Sequence, residues 1–552
     1  MSFQPPEKSP VSDGSNPNAR PHPPLATQPP ISVRIRLGLA AGSGFLLTGA
    51  FPNIDVGWLA WIAIVPLLTA VRNVHWKRGF GLGFLAGMVH YLSLIYWVAY
   101  TMRTYGHLPW PVCISILVLL AAYLALFFGA LTAFVCILKP KPAAALVAVP
   151  VAWVALEYLR SFFLSGFPWE LLGYSQYKVL HLIQISDILG PYGISFLILF
   201  INTALFFLLL RILKRDWHGD WISGRLAAVA VTIGVFLTGA AWYYGDKRLA
   251  DIDQLNQTAP SIRAAVVQGN IEQALKWNPA FQEATIDKYL KLSQGVRDVR
   301  PDLVVWPETA LPFHFLYDAP LTDRVRGGIR QNRTYFLVGS PSFDRGAQRV
   351  DYYNSAFLID PQGNALGKYD KTHLVPFGEY VPLKKWLPFL GKLVAQVGDF
   401  SRGNTGDTIA WHNGKLAVFI CYEAIFPYIT RAMVANGANL LVNITNDAWY
   451  GRSSAPYQHF TIALFRAVEN RRALIRAANT GISGFVDPAG RILDSTALFV
   501  DAAVVRNVPL ISRLSFYTRF GDLFAGACLA AFAFTALGQL IARFKNRKKK
   551  SS

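Results

Sequence analysis

The sequence predicts an integral membrane α-helical bundle of eight transmembrane helices joined to an extracytoplasmic α/β domain. Three observations lead there: eight apolar segments of membrane-spanning length, a long polar region between the seventh and the eighth, and basic residues gathered at one end of the spans. The apolar segments fall at about 35–51, 54–71, 79–101, 110–138, 143–163, 188–213, 226–245 and 519–542, each suited to a hydrocarbon layer roughly 30 Å thick. Composition agrees. Of 552 residues, 53% are hydrophobic and 16% charged, too apolar for an ordinary soluble protein.

Orientation follows from the bias of Lys and Arg toward cytoplasmic loops. With the N-terminus inside, inner loops hold Arg72, Lys77, Arg78, Lys139, Lys141, Arg211, Lys214, Arg215 and Arg225, whereas outer loops hold Arg103, Arg160 and Lys178. An even number of spans returns the chain to the inside, where it closes on "ARFKNRKKKSS". The polar region then lies outside, which in a Gram-negative bacterium is the periplasmic face of the inner (cytoplasmic) membrane, with both termini cytoplasmic. These flanks account for the net charge of +20. No recognition motif accompanies the charge, so no nucleic-acid partner is expected.

The expected organisation has four parts. Residues 1–33, rich in Pro, Ser and Asn, cannot bury enough apolar surface to fold and read as a disordered cytoplasmic tail. They lack the layout of a cleavable signal peptide, so the first membrane helix is expected to act as an uncleaved signal. Residues 34–245 carry seven transmembrane helices, 246–518 the outer domain, and 519–552 the eighth helix with a basic tail. In the outer domain, "SIRAAVVQGNI", "DLVVWPETAL", "TYFLVGSPSF", "NSAFLIDPQG", "KLAVFICYEA", "NLLVNITNDAW" and "GISGFVDPAGRIL" read as strands bounded by turn residues. "PAFQEATIDKYLKLSQGVRDV" and "PYQHFTIALFRAVENRRALIRAA" have helical spacing, giving a layered α/β domain.

Three strand ends turn polar abruptly: Glu308 after "LVVWP", Lys371 in "GKYDKTHLVPFGEY", and Cys421 after "LAVFI". Cys113, Cys136 and Cys528 all lie in apolar segments, so Cys421 is expected as a free thiol. Taken singly, each residue has an ordinary structural reading: a core cysteine, a helix cap, a solvated lysine. Taken together their chemistry is complementary. A thiol reacts as thiolate, which a nearby cation favours and a carboxylate can generate by accepting the proton. The carboxylate can return that proton to a leaving group, and a lysine can stabilise an oxyanion. The trio specifies acyl transfer through a thioester, with Cys421 at a strand-to-turn elbow.

"WPETA", "KTHLVPFGEYVP" and "CYEAIFP" resemble the Glu-Lys-Cys signatures of the nitrilase superfamily of carbon-nitrogen hydrolases. With "NITNDAWYG" and flanking membrane spans, the chain from about 35 to 545 is similar to the membrane branch of that superfamily, the apolipoprotein N-acyltransferases. The resemblance implies a nitrilase-like αββα sandwich, Cys421 as nucleophile, Glu308 as general base and acid, and Lys371 as electrostatic partner of the intermediate. It implies Glu379 as a second glutamate that orients Lys371 or shares its charge, Tyr422 and Glu423 as supporting residues, and Trp277 and Trp449 as lining of the acyl-binding or entry region. Simple core packing is the alternative for both tryptophans. The implied substrates are a phosphatidylethanolamine-like phospholipid acyl donor and diacylglyceryl-modified apolipoproteins, handled by a monomer at the membrane.

No metal-ligand spacing or phosphate-cradling Gly loop occurs, so neither metal nor cofactor is expected. The aromatic-rich segments 165–177 and 382–398 read as interfacial or lid elements, with loop packing favoured for the first. Glu157 and Arg160 are placed to pair on one helix face. Two rival functions are a membrane-tethered amidase or nitrilase, against which eight spans speak where one would suffice, and a transporter, against which ionisable groups are too few in the spans.

Overall fold

The computed structural model describes residues 31–346, 349–380, 400–412 and 414–551, and side chains of the last helix to Gln539 and at Ile541. The expected tail 1–33, almost entirely, and the segment 382–398 lie outside the described residues. The apolar stretches become α1 (Val33–Gly49), α2 (Val65–Val71), α3 (Trp76–Leu94), α4 (Trp97–Thr104), α5 (Trp110–Leu138), α6 (Pro142–Arg160), α7 (Pro191–Ile212) and α8 (Gly224–Thr258). Helices thus occupy the expected places, but among the described residues only α5 to α8 are long and apolar enough to cross a membrane alone. The pair α3 and α4, bent by 49°, passes the same test only when the two are taken together as one span.

The expected span at 54–71 is broken into a 3-10 turn, Gly57–Trp61, and α2. Asn202 of α7 satisfies the freed backbone: it donates to the Ala60 carbonyl at 2.9 Å and accepts from the Ile64 N–H at 2.8 Å. Irregular backbone persists at such depth where protein groups satisfy it. Glu157 and Arg160 form no ion pair with each other among the described residues. Glu157 accepts from the Leu172 N–H at 2.8 Å and Arg160 donates to the Trp169 carbonyl at 3.2 Å. Both brace the 165–177 segment, which is mostly buried, with Trp169 and Leu171 fully so; packing is its role.

The connections sort to two ends of the bundle. At one end Arg36 donates to the Arg72 carbonyl, Arg72 pairs with Asp216 at 2.9 Å, and Trp217 donates to the Pro140 carbonyl at 3.0 Å. At the other end the connections meet the polar domain.

That domain has two six-stranded sheets. The first runs β12-β1-β2-β3-β4-β5, where β1 is Ser261–Gln268, β2 Leu303–Val305, β3 Tyr335–Arg345, β4 Val350–Ile359, β5 Ala365–Asp370 and β12 Ala502–Pro509. The second runs β11-β10-β9-β8-β7-β6, from β6 Ile409–Trp411, β7 Gly414–Ile420, β8 Leu440–Thr445, β9 Leu474–Ala478, β10 Gly484–Val486 and β11 Ile492–Ser495. Strands β1 to β3 are parallel, as are β7 to β9; the outer pairings are antiparallel. Alternation sorts the first sheet's faces. Ala265, Val267, Val304, Phe336 and Val338 pack on α9 (Gln282–Gln294) and α10 (Ala319–Asn332), while Ala264, Val266, Leu303, Val305 and Leu337 join the second sheet's core.

The second sheet is covered by α11 (Pro427–Ala435) and α12 (Ala455–Asn470), completing an αββα sandwich. In α12 every residue but Tyr457 is buried, because the helix lies between its sheet and the bundle. Gln458 is the centre of that junction. Its side chain accepts from the indoles of Trp97 (3.2 Å) and Trp169 (2.8 Å) and donates to the carbonyls of Pro52 (2.9 Å) and Leu94 (3.3 Å). The stretch expected as one helix, 456–478, is two elements. Arg471 at φ +52° ends α12, and "LIRAA" becomes the central strand β9. The last helix, α13 (Leu523–Ser551), leads back along α6.

Candidate active site

The strand β7 delivers Cys421 into a tight turn, Cys421–Ile425, with φ +53°. A side chain in the left-handed region is strained and persists when its surroundings over-determine it. Glu423 supplies one restraint. Its buried carboxylate accepts from the N–H groups of Ile420 (2.6 Å), Thr372 (2.6 Å) and His373 (3.0 Å) and from the hydroxyls of Thr372 (2.9 Å) and Tyr369 (3.0 Å). It thereby ties the end of β7 to the end of β5. The second restraint lies beneath: His459 Nε2 donates to the Cys421 carbonyl at 3.0 Å. Asp447 is 3.0 Å from His459 Nδ1 and 2.8 Å from Arg476. Burial alone would raise the Asp447 carboxyl; Arg476 and His459 reverse this and bring it down to about 2.

Lys371 follows β5 directly, its N–H bonded to the Asn354 carbonyl at 2.9 Å. Its ammonium, 1% exposed, is 2.9 Å from Glu379 Oε1 and 3.6 Å from Glu308 Oε1. Asn354 of β4 bridges the carboxylates, donating to Glu308 at 2.7 Å and Glu379 at 3.0 Å. Glu308, beyond the end of β2, also accepts from the Asn446 N–H at 2.9 Å; Glu379 accepts from the Val375 N–H at 2.8 Å.

The electrostatics divide the labour. Burial opposes a charge on Lys371, but Glu379, Glu308 and Cys421 outweigh it and hold the ammonium protonated beyond the usual lysine range. Burial, reinforced by Glu308, pushes the Cys421 thiol up against the pull of Lys371. The expectation that a nearby cation lowers the thiol is therefore reversed at rest, because desolvation of a fully enclosed sulfur outweighs it. Such a cysteine needs a base at the moment of attack.

Of the residues expected from sequence, Glu308, Lys371, Glu379, Cys421 and Glu423 meet in this cluster. Tyr422 is buried against Phe426 and His373, with ring centroids 5.2 and 5.9 Å away. Trp277, half exposed, lines an open groove of about 500 Å³ with Phe313, Tyr317 and Phe343. Trp449 lies at the bundle junction: its ring is 5.1 Å from that of Tyr105, and its carbonyl accepts from Thr101 at 2.9 Å. Sequence reasoning missed Asn354, Asn446, Asp447, His459 and Arg476. For Asn446 and Asp447 a signal was present, since "NITND" also ends a buried strand in polar residues.

The αββα sandwich brings Glu308, Lys371 and Cys421 together from the ends of β2, β5 and β7, as the nitrilase-superfamily resemblance implied, and the Carbon-nitrogen hydrolase family model matches residues 263–508. The model of the apolipoprotein N-acyltransferase N-terminal domain matches residues 43–204. The chain is 44% identical over 499 residues to an apolipoprotein N-acyltransferase of Geobacter metallireducens, covering 90% of this chain and 94% of that protein. It is 33% identical to one of Brucella melitensis biotype 1, covering 86% and 85%. The chain belongs to the apolipoprotein N-acyltransferase family. Among solved structures, an amidase from Nesterenkonia sp. AN1 is similar at 21% identity and a TM-score of 0.36, covering 48% of this chain and 99% of that one.

Proposed function

We propose that the protein transfers an acyl chain from a membrane phospholipid to the α-amino group of the N-terminal diacylglyceryl-cysteine of apolipoproteins, the last step of bacterial lipoprotein maturation. Cys421 is the nucleophile, Glu308 the general base and acid, and Lys371 the cation facing the developing oxyanion. One observation carries the assignment: a strained, buried cysteine shares an enclosed cluster with an ion-paired glutamate and lysine, on a sandwich docked to the end of an apolar bundle.

In the first half-reaction Glu308 takes the Cys421 proton as sulfur attacks the ester carbonyl. The tetrahedral oxyanion forms opposite Lys371. The C–O bond then breaks, Glu308 protonates the departing lysophospholipid oxygen, and a thioester remains. In the second, the α-amino group attacks the thioester carbonyl and Glu308 accepts its proton. The C–S bond breaks and the sulfur regains that proton, leaving an amide. Glu379 holds Lys371 in place, and Tyr422 and Glu423 hold the elbow. Trp277 and Trp449 line the route of the acyl chains.

The assignment includes eight spans, seven in 34–245 and one in 519–552, with residues 246–518 on the periplasmic side of the inner membrane and both termini cytoplasmic. Support comes from the sorting of connections to two ends and from the basic residues gathered at the end away from the domain. A site against the bilayer lets both substrates keep their chains in lipid, where exposing each CH₂ would cost about 0.8 kcal/mol. All site groups come from one chain, so a monomer suffices. The donor is phosphatidylethanolamine-like. The test is a diacylglyceryl-cysteine peptide supplied outside spheroplasts that express the protein. The expected product is the peptide plus one acyl group in an alkali-stable amide, with no product when the peptide meets only the cytoplasmic face of inverted vesicles. Release of free fatty acid with an unmodified peptide would instead make the protein a hydrolase.

A further inference from the structure

Beside the Glu308 and Lys371 pair lies a second ammonium that the acyl-transfer steps leave without a task. Lys276 ends the short helix Gln273–Lys276 and is 1% exposed. Among the described residues the ammonium's one hydrogen bond is to the Glu308 carbonyl oxygen, 3.1 Å away, and no carboxylate lies within ion-pair distance of it. The Glu308 carboxylate is engaged elsewhere, by Asn354, by the Asn446 N–H and by Lys371. An ammonium has three donors, so two of them have no acceptor. A cation buried without a counter-ion is unfavourable: burial lowers Lys276 to about 8, against the pull of Glu308 and Cys421. Its chain neighbour Trp277 lines the open groove, so the ammonium lies beside the Glu308 backbone and one residue along the chain from that groove.

We propose that Lys276 recognises the phosphate of the acyl donor, bonding an anionic phosphate oxygen as the donor's ester reaches Cys421. The inference rests on the acyl-transfer reading and deepens it. In that reading the ester carbonyl oxygen faces Lys371 and the leaving oxygen takes its proton from Glu308. The donor's one anionic group is its phosphodiester, a few bonds from the leaving oxygen, and a buried lysine is a point-charge partner for phosphate. The incoming amine carries no anion for Lys276, so the residue sorts donor from acceptor in the first half-reaction.

The experiment uses the full chain in vesicles and follows thioester formation from two donors with the same labelled acyl chains, phosphatidylethanolamine and neutral diacylglycerol. The wild type is expected to prefer the phospholipid. Lys276→Met lowers kcat/KM for the phospholipid at least tenfold and leaves diacylglycerol within twofold, whereas Lys276→Arg keeps the preference. A lysine is charged below its pKa, so wild-type kcat/KM for the phospholipid falls as pH rises through about 8, and in Lys276→Arg that fall moves to higher pH. Equal slowing with both donors would reduce Lys276 to a support of Glu308, and no change with either would remove it from the site. A wild type that acylates equally from both donors defeats the Lys276 assignment alone. A wild type that acylates from neither defeats the acyl-transfer reading beneath it.

Discussion

Cys421 holds a backbone conformation that costs of order 1–3 kcal/mol for a residue with a Cβ, and the groups that offset this cost are identifiable. His459 fixes its carbonyl, and Asp447 and Arg476 fix His459. We therefore expect Asp447→Asn, which keeps shape but removes charge from a fully buried trio, to destabilise the protein by about 3 kcal/mol or more and to slow acylation, read by denaturant unfolding in micelles. The sign of the pH dependence follows from the Asp447 carboxyl, held near 2 against an ordinary 3.8. Its stabilisation is complete above 3.8 and lost as pH falls toward 2. The gap between wild type and variant should stay constant at neutral pH and narrow only below about pH 4; a gap that vanishes near neutrality would contradict this role. Glu308 and Cys421 stand out in the sequence because each follows an apolar strand, and Lys371 because of the motif around it. Their supports do not. Asn354 serves Glu308 from 46 residues away and His459 serves Cys421 from 38, and a lone Asn or His in an apolar context carries no mark of the partner it meets in space.

Among the elements, α12 carries the most. It is apolar on the side facing its sheet and equally buried on the side facing the bundle, as expected of a helix enclosed all round. Gln458 projects from it into a pocket where two indole N–H groups and two carbonyls converge. Replacing it with leucine leaves those groups buried without partners, which costs about 1–3 kcal/mol for each that water does not reach. Gln458→Leu is therefore expected to lower the thermal midpoint by several degrees. It should also slow acylation, since Trp169 stacks on His459 at 5.7 Å; an unchanged midpoint would show that the junction is held elsewhere. The strand reading found "KLAVFI" and "NLLVNIT", buried as they are, because turn residues bound them, and missed the strand that follows α12 without such a boundary. "LIRAA" is buried on both faces in the middle of a sheet, so no alternation distinguishes it from the helix before it. The break between Gly57–Trp61 and α2 was invisible for a related reason: Asn202, which permits it, lies on another helix.

At the scale of the whole molecule, the bundle is a platform as well as an anchor. Helix α8 runs 35 residues, about 52 Å at 1.5 Å per residue, and so outreaches the hydrocarbon layer. Its far end enters the domain, where Arg248 pairs with Asp187 at 2.6 Å and Asp253 with Arg491 at 2.5 Å. Asp187 also receives Arg471 at 2.9 Å, a buried ion pair between bundle and sandwich, whereas the Asp253–Arg491 pair is partly exposed. Eight apolar segments and an inserted α/β region were enough to read this plan. How the two parts lock together was not readable, since every contact in the lock joins residues remote in sequence. The lock fixes the Cys421 cluster relative to the bundle.

The central claim is that Cys421 carries the acyl chain between the two substrates. The most direct measurement incubates the purified full-length protein with a phospholipid bearing a labelled acyl chain and determines the intact protein mass, beside Cys421→Ala. One acyl group is expected on the wild type, released by neutral hydroxylamine, and none on the variant. An equal adduct on Cys421→Ala, or none from any phospholipid on folded wild type, would contradict it.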